Sequence, residues 1–381
     1  MKLVVLKALD RNGAGYTSDV IRAIDFAVAN RRSLKIDVIN LSLGHPIYEP
    51  AATDPLVQAV ERAVRAGIIV VASAGNLGKN TTTGLPGYGG ITSPGNAPSA
   101  ITVGAMRTND TVARGDDRIP DYSSAGPTWY DAMVKPDILA AGHNIIAAAA
   151  KSGTIYGAYP QVRVADPDYM RLSGTSMASA VTTGVVALML EANRESADDH
   201  APPLTANMVK AMLQFTATEV VNDAGLPYDV LRQGAGSLNG RGAIALARVV
   251  DTTAAPGSLW LTQSLSPWTT VGGETLVWKQ AVIWGSAVIW GSTLDLNQPA
   301  WSSAVIWGST VPWANAIPSA QNAVWGDPQA WADAVIWGSG TIGVTQGDAV
   351  IWGSTGALTS ETTAWTNLAE RGMASGVSPQ P

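Results

Sequence analysis

The sequence contains no cysteine, and this absence excludes several kinds of chemistry. Without a thiol, the chain cannot form a disulfide framework, a thiolate-ligated metal site or a cysteine nucleophile. The same absence fits a reducing cytosol and also a secreted bacterial-type enzyme that is stabilised by other means. Cysteine usage therefore does not fix the compartment.

The chain also lacks a basic stripe and a long apolar run. Its net charge is −6, and residues 251–381 hold eight acidic and two basic residues, so the negative charge is concentrated there. A chain without clustered lysine and arginine cannot neutralise a run of phosphates, and we expect no nucleic-acid partner. The longest apolar runs fall short of the roughly 20 residues that a membrane span requires, so we expect no transmembrane segment.

Up to about residue 250, short β-branched runs alternate with helical patterns. This alternation predicts βαβ units around a mostly parallel sheet, which is an α/β fold. The predicted buried strands are "LVVLKAL" (3–9), "DVINLSL" (37–43), "IIVVASA" (68–74), "AITVGAM" (100–106) and "DILAAG" (137–142). One predicted helix spans 18–31 behind a Ser18 cap. A second has Asp54 as N-cap, Pro55 as its first residue and Gly67 just past its end.

The sequence changes character after about residue 251. Most of its 14 tryptophans lie from Trp260 onward, and "AVIWGS" begins at residues 281, 287, 304, 334 and 349, with a degenerate "NAVWGD" at 322. The irregular spacing argues against a solenoid, and each unit predicts a short strand followed by a Gly-Ser turn. We therefore divide the chain into a first domain, 1–250, and a Trp-rich repeat tail, 251–381. The tail is either a small β-rich or partly ordered appendage, or a module that binds a glycan or attaches to a cell surface.

The stretch "RLSGTSMASAVTTGVVALML" (171–190) places a serine at the start of an apolar helix. Gly174 permits a tight turn, and the unpaired N–H groups and positive dipole end of that helix favour negative charge beside Ser176. A nucleophilic serine needs an exposed hydroxyl, a base within hydrogen-bond reach and donors for the oxyanion. The pattern supplies the first and the third of these, but by itself it more often marks a simple N-cap.

Several segments resemble, in the same order, motifs of the subtilisin-like serine proteases (subtilases, peptidase S8). "SGTSMASAVTTG" (173–184) is similar to their serine motif, and "VVASAGN" (70–76) resembles the strand and turn that carry the oxyanion-hole asparagine. The other matching segments are "VINLSLG" (38–44), "SPGNAPSAITVGA" (93–105), "YSSAGP" (122–127), "VKPDILAAG" (134–142) and "GAGSLNGRGAIALA" (234–247). The resemblance covers roughly two-thirds of the chain. It implies the three-layer subtilisin-like fold with a mostly parallel sheet, here without its N-terminal strands.

The resemblance also implies roles for individual residues. Ser176 would be the nucleophile, and its own N–H and the side-chain amide of Asn76 would donate to the oxyanion. The residues that would contact substrate are Ser42, Leu43 and Gly44 as a pairing strand, and Ser73, Ala74, Gly75, Thr92 and Gly95 around the primary pocket. No charged residue lines that pocket, so it would prefer apolar or medium-sized side chains.

The motifs that carry the family's aspartate (D-[ST]-G) and histidine (H-G-T-H) do not occur in the sequence. Because "MKLVVLKALD" resembles the strand that follows the histidine helix, we expect an N-terminally truncated subtilase that begins after both residues. The three histidines, His45, His143 and His200, lie in contexts unlike that of the base, and His45 fits a subsite or surface residue. Without a base, only the oxyanion hole and binding remain, and the absent strand would leave apolar edges that favour aggregation.

These features predict a serine endopeptidase that hydrolyses peptide bonds through an acyl-enzyme on Ser176, nearly inert as this chain alone. The alternative is a non-catalytic truncated homologue that binds peptides or attaches to a surface. We expect no required cofactor; calcium is common in the family, but no acidic cluster with EF-hand spacing occurs. The expected partners are polypeptide substrates and a missing N-terminal piece of the same protease. The expected location is extracellular by family analogy, although the N-terminal apolar stretch is too short for a signal peptide.

Overall fold

The structure is a computed structural model that describes residues 1–79, 84–197, 200–254 and 261–280, together with four short strands between 282 and 352. Its helices are α1 Thr17–Ala29, α2 Arg31–Leu34, α3 Pro55–Arg65, α4 Thr154–Ala158, α5 Thr175–Ser196, α6 Ala206–Phe215, α7 Val230–Gln233 and α8 Gly240–Val249. Its strands are β1 Val38–Leu41, β2 Ile69–Ser73, β3 Ile101–Met106, β4 Ile138–Ala141, β5 Ile145–Ala148, β6 Tyr169–Leu172, β7 Trp268–Val271, β8 Glu274–Val277, β9 Val282–Trp284, β10 Ala287–Ile289, β11 Val335–Trp337 and β12 Val350–Trp352.

Four parallel strands in the order β1-β2-β3-β4 form the central sheet. Every residue of β2 and β3 is buried, as continuous β-branched runs require when both faces of a sheet are covered. Alternate residues of β2 face opposite cores: Ile69 and Val71 pack with α5, α6 and α8, whereas Val70 and Ala72 pack with α1 and α3. The four strands predicted at 37–43, 68–74, 100–106 and 137–142 are confirmed, and so is the α/β fold class.

Helix α5 lies across one face of the sheet and contacts all four strands and α8. Its 22 residues have a mean hydropathy of 1.3 over the most apolar window, so by length and composition it could cross a bilayer. The central helix of a globular domain has the same properties, and Ala178, Val186 and Met189 are completely buried against the sheet. These contacts assign α5 to the protein core.

The local signals for α3 are confirmed in full. The Asp54 carboxylate accepts hydrogen bonds from the N–H groups of Leu56 and Val57, at 2.8 and 3.3 Å, and Pro55 opens the helix. Gly67 follows the helix with a φ of 81°, a backbone conformation that favours glycine. The predicted Ser18 cap of α1 is wrong, because the helix begins one residue earlier, and its N-cap, Tyr16, makes no side-chain capping bond.

The predicted strand at residues 3–9 is also wrong. This segment forms no strand, and Leu3 and Val5 are 76% and 86% exposed. An apolar run becomes a strand only where a neighbouring strand completes its hydrogen bonds. Within the part of the chain that the structure describes, no strand pairs with this segment, and β1 is bonded to β2 alone.

The first domain continues into the residues that follow α8. Strands β7 and β8 form a hairpin, and Trp278 just after it is buried against the edge of Phe215 at the end of α6. The indole Nε1 of Trp278 donates to Thr269 Oγ1 at 2.8 Å. Contacts with the main core thus extend to Trp278, while the division at residue 250 stays a prediction.

The repeat units contribute a second sheet in the order β12-β11-β10-β9. Its strands are the VIW or AVI portions of the units that begin at 281, 287, 334 and 349, which agrees with the prediction of one short strand per unit. The units at 304 and 322 lie outside the described residues.

Candidate active site

The site is built around the first turn of α5. Gly174, its N-cap, has a φ of 155° and donates its N–H to the Gly142 carbonyl at 2.8 Å. A side chain at Gly174 would be strained by this backbone angle, whereas the space around an added Cβ is ordinary, with Asn76 Nδ2 nearest at 3.5 Å. Ser176 follows within the first turn, half-buried, where N–H groups have no partner inside the helix.

Ser176 is joined to the end of β1 by reciprocal hydrogen bonds. Its Oγ donates to the Ser42 carbonyl at 3.2 Å, and Ser42 Oγ donates to the Ser176 carbonyl at 2.8 Å. Ser179, one turn along α5, shares a 2.8 Å bond with the Ser42 hydroxyl. These contacts fix Ser176 relative to the sheet, but a carbonyl oxygen cannot take the serine proton as a base does.

Asn76 lies three residues after the end of β2 and contacts the start of α5 through Thr175. Its Oδ1 accepts hydrogen bonds from Thr175 N at 3.0 Å and from Thr175 Oγ1 at 3.1 Å. Because the amide oxygen is engaged, Nδ2 is the end of the side chain that remains to donate. Among the described residues Nδ2 has no hydrogen-bond partner, and the Asn76 side chain is exposed. The exposed donor therefore stands beside the start of α5, as an oxyanion requires.

Two residues whose roles the sequence did not indicate hold Asn76 in place. Thr175 Oγ1 accepts the Gly75 N–H at 3.1 Å, and Ser124 Oγ accepts the Leu77 N–H at 3.0 Å, so the turn is held on both sides of Asn76. Ser124 N also donates to the Gly75 carbonyl at 3.1 Å. Both supports are distant in sequence, although each lies inside a quoted segment, "SGTSMAS" or "YSSAGP".

The predicted pocket residues come together beside this turn. Three of these residues are glycines whose backbones lie so close to neighbouring segments that a side chain would not fit. A Cβ added to Gly44 would lie 2.7 Å from Thr92 Oγ1, and a Cβ added to Gly75 would lie 2.9 Å from Thr92 Cγ2. A Cβ added to Gly95 would lie 2.8 Å from the Ser73 carbonyl oxygen. Ser73 and Ala74 are buried, and Thr92 N donates to the Ala74 carbonyl at 3.1 Å. The segments 42–45, 73–76 and 92–95 therefore meet, and no charged side chain belongs to them. The roles of Ser42, Leu43 and the pocket residues in binding substrate stay predictions.

The histidines are engaged away from Ser176. His45 Nδ1 bonds the Pro46 carbonyl at 2.7 Å, and the His45 ring stacks on Tyr48. His143 Nδ1 is 3.4 Å from the Tyr122 hydroxyl, which donates to the Gly142 carbonyl; burial raises the pKa of Tyr122 to about 12. His200 follows the far end of α5, roughly 33 Å along the helix at 1.5 Å per residue. In the described part of the chain, Ser176 Oγ has no imidazole or carboxylate partner.

This arrangement combines a serine hydroxyl at a helix start, an oriented side-chain amide on the neighbouring turn and three packed segments without lysine, arginine, aspartate or glutamate. These features fit the nucleophile and the oxyanion donor that the sequence motifs predict, and both roles stay predictions at this point. A family model described as the subtilase family matches residues 1–236, which is more than half of the chain. The chain belongs to the subtilase family, and the identification made from the sequence motifs is confirmed.

Named relatives are serine proteases. Serine protease AprX of Bacillus subtilis (strain 168) is 35% identical over 247 residues, covering 64% of this chain and 51% of that protein. Subtilisin E of the same organism is 33% identical over 220 residues, covering 58% and 45%. The chain thus spans about half the length of these curated relatives. Two solved structures are similar, each with a TM-score of 0.46: the prenylagaramide maturation protease PagA, 26% identical over 62% of this chain and 69% of that chain, and the patellamide maturation protease PatA, 28% identical over 63% and 71%.

Proposed function

We propose that the protein acts on polypeptides as a serine endopeptidase, through an acyl-enzyme on Ser176. The observation that carries this proposal is the orientation of Asn76. Thr175 engages its Oδ1 through two hydrogen bonds, so Nδ2 is left to donate beside the start of α5. An exposed, oriented donor next to a half-buried serine hydroxyl is the geometry of acyl transfer.

In the proposed reaction, Ser176 Oγ attacks the substrate carbonyl, and the negative charge develops on the carbonyl oxygen. The Ser176 N–H and Asn76 Nδ2 donate to that oxygen, and the positive end of the α5 dipole stabilises the same charge. The bond to the leaving amine then breaks, and water hydrolyses the acyl-enzyme. Because the pocket segments carry no charge, we expect apolar or medium-sized side chains before the cleaved bond. The reaction needs no cofactor, and an extracellular location follows from family analogy alone.

The proton of Ser176 needs an acceptor that the described residues do not place there. Ser176 Oγ donates to the Ser42 carbonyl, and His45 and His143 have other partners. We therefore propose that an imidazole from outside these residues, with its orienting carboxylate, completes the site. The lack of a base for Ser176 among the described residues also favours a second candidate, a non-catalytic homologue that binds peptides without cleaving them.

Labelling with a fluorophosphonate separates the two candidates. The probe reacts with an activated serine, so we expect slow labelling of the full chain at Ser176 and faster labelling when free imidazole is added as an external base. Ser176→Ala is the matched control and should remove the label without unfolding the protein. If the folded chain takes no label with or without imidazole, yet still binds peptides, the peptide-binding function replaces the proteolytic one.

A further inference from the structure

The hexapeptide AVIWGS occurs five times, and nothing in the proposed proteolysis uses it. The unit has no charge and no proline, and three of its six residues are β-branched or aromatic. Such short segments have a high propensity to pair as strands and to interlock when identical copies stack.

Each strand of the second sheet pairs with another copy of the same unit. Strands β9 and β10 pair antiparallel, β10 and β11 pair antiparallel, and β11 and β12 pair parallel. In the parallel pair, identical residues stand opposite each other: Val335 with Val350, Ile336 with Ile351 and Trp337 with Trp352. The unit therefore accepts its own sequence as a neighbour in either direction, from a sequence-adjacent unit or from one far along the chain.

The two end strands of the second sheet, β9 and β12, differ in their neighbours. Strand β9 begins four residues after the buried Trp278 and contacts α6. Strand β12, at the other end, is bonded to β11 alone within the part of the chain that the structure describes. An edge strand presents unpaired N–H and C=O groups, and natural proteins protect such edges with charge or proline, which AVIWGS lacks.

We propose that the AVIWGS repeats bind the AVIWGS repeats of a second copy of this chain by edge-to-edge strand pairing. An edge that accepts one unit from its own chain meets the same backbone and side chains in a unit from a second copy. A single three-residue strand binds weakly, but several units on each chain act together because the first pairing raises the effective concentration of the others. The tail is thus a self-association module, and the occupant of its open edge is another tail.

Sedimentation velocity of the full chain over a wide range of concentration tests this proposal. We expect the mass to rise with concentration above that of the 39.5 kDa chain. Proline in all five units (Ile283→Pro, Ile289→Pro, Ile306→Pro, Ile336→Pro and Ile351→Pro) removes strand donors and should leave only the association that the exposed N-terminal segment 3–6 causes. Valine at the same five positions keeps a β-branched residue and should associate like the parent. Synthetic AVIWGS peptide should reduce the association of the parent.

Several results would overturn the proposal. One is a parent chain that stays monomeric at every concentration, and another is a proline variant that associates as the parent does. A parent that binds polysaccharide while remaining monomeric would instead make the tail a glycan-binding module. Because the helices of the first domain lie between residues 17 and 249, the helical far-UV circular dichroism shows whether each variant remains folded. Serine labelling is not part of this readout, so its outcome does not decide the self-association.

Discussion

The two ends of the central sheet differ in how they are covered. At the β4 end, Leu139 N donates to the Gly236 carbonyl at 2.8 Å, and Leu238 N donates to the Leu139 carbonyl at 2.7 Å, so the strand edge is bonded. At the β1 end, no described strand continues the sheet. The apolar segment 3–6, which comes before β1 in the chain, is exposed. Within the described residues, the β4 edge is hydrogen-bonded by the chain itself, whereas β1 pairs with β2 alone.

The candidate site shows the same asymmetry. Asn76 follows β2, an interior strand, and Thr175 and Ser124 hold it through short bonds. Ser42 ends the edge strand β1 and offers Ser176 Oγ only a carbonyl oxygen. The proposed oxyanion donor Asn76 is therefore oriented beside an interior strand, whereas the described residues place no proton acceptor for Ser176 beside the edge strand β1. Substrate activation and proton acceptance depend on different parts of the fold, and they can be tested separately.

The largest effect is expected at the covered end, from Asp137→Ala. The buried Asp137 carboxylate bonds Lys135 Nζ at 2.7 Å and Lys210 Nζ at 2.9 Å. Burial alone would raise the pKa of Asp137, but the two ammonium groups outweigh it and hold that pKa below its ordinary value. Removing the carboxylate takes the charged acceptor away from two buried lysines, Lys210 and Lys135, and burial already lowers the pKa of Lys135 to about 7. We therefore expect a loss of about 3–5 kcal/mol in the free energy of unfolding, measured by urea denaturation.

The exposed pair between Lys79 Nζ and Asp121, 3.3 Å long, gives the matched control. Asp121→Ala removes the same group from a solvated ion pair, and we expect a loss of about 0–1 kcal/mol. Equal losses for the two variants would show that burial of the Asp137 network does not stabilise the covered end.

The next largest effect is expected from Asn76→Ala, which removes the oxyanion donor. Loss of one such donor lowers the rate of the acyl-transfer step by about 10²–10³-fold. We expect a decrease of this size in fluorophosphonate labelling or peptide hydrolysis. The unfolding midpoint should fall only slightly, because the side chain is exposed but the buried Thr175 donors lose their acceptor. Asn30→Ala, at the end of α1 on the opposite face of the sheet, is the control and should leave the rate intact. A rate unaffected by Asn76→Ala would remove this residue from the site.

Thr175→Val tests whether the orientation of the Asn76 amide matters, because it leaves that amide in the chain and removes a hydrogen bond that orients it. The variant keeps the volume of this buried side chain but loses the hydroxyl that bonds Asn76 Oδ1 and Gly75 N. We expect labelling to slow roughly tenfold, which corresponds to about 1.4 kcal/mol of lost stabilisation. Peptide binding should change little, so kcat falls and KM does not. Thr175→Ser restores a hydroxyl and should recover most of the rate; a variant with raised KM alone would indicate a role in binding instead.

Sequence reasoning succeeded where the signal was local. Apolar runs predicted β2 and β3, and Asp54, Pro55 and Gly67 predicted the two ends of α3. Each of these signals lies within or next to the element that it predicts. It failed at 3–9, because whether an apolar run becomes a strand depends on a partner that the run itself does not specify. Ser176 and Asn76 were found through motif resemblance, and the structure then brought them together. Thr175 and Ser124 were missed as supports because their bonds to the turn span about 50 to 100 residues of sequence.

A smaller effect is expected from Asp117, a buried group on the covered side. Burial raises the pKa of Asp117 from 3.8 to about 7; Arg114 and Arg118 oppose the shift, and Asp116 and Glu274 add to it. Because the folded state binds this proton more tightly than the unfolded state, the stability falls as pH rises from about 3.8 to about 7. Asp117→Asn keeps a neutral side chain of the same shape. We expect it to flatten this part of the profile and to raise the melting temperature by a few degrees above pH 7.

Thermal unfolding followed at several pH values measures the Asp117 effect. Asp110→Asn, at an exposed position of the same loop, is the control and should leave the slope in place, because Asp110 does not contribute to the Asp117 shift. Parallel profiles for the parent and Asp117→Asn would mean that the buried carboxyl titrates normally.

The smallest effect on stability is expected at the open end, from Val5→Lys. The side chain is 86% exposed and belongs to a segment without strand pairing, so its replacement should change the free energy of unfolding by no more than about 0.5 kcal/mol. The charge should nevertheless lower aggregation, because exposed apolar segments and open strand edges associate. Light scattering at equal concentration, with Val71→Lys in the interior strand β2 as the destabilised contrast, separates the two effects. A large loss of stability from Val5→Lys would show that the N-terminal segment packs on the sheet, and that the β1 end is covered after all.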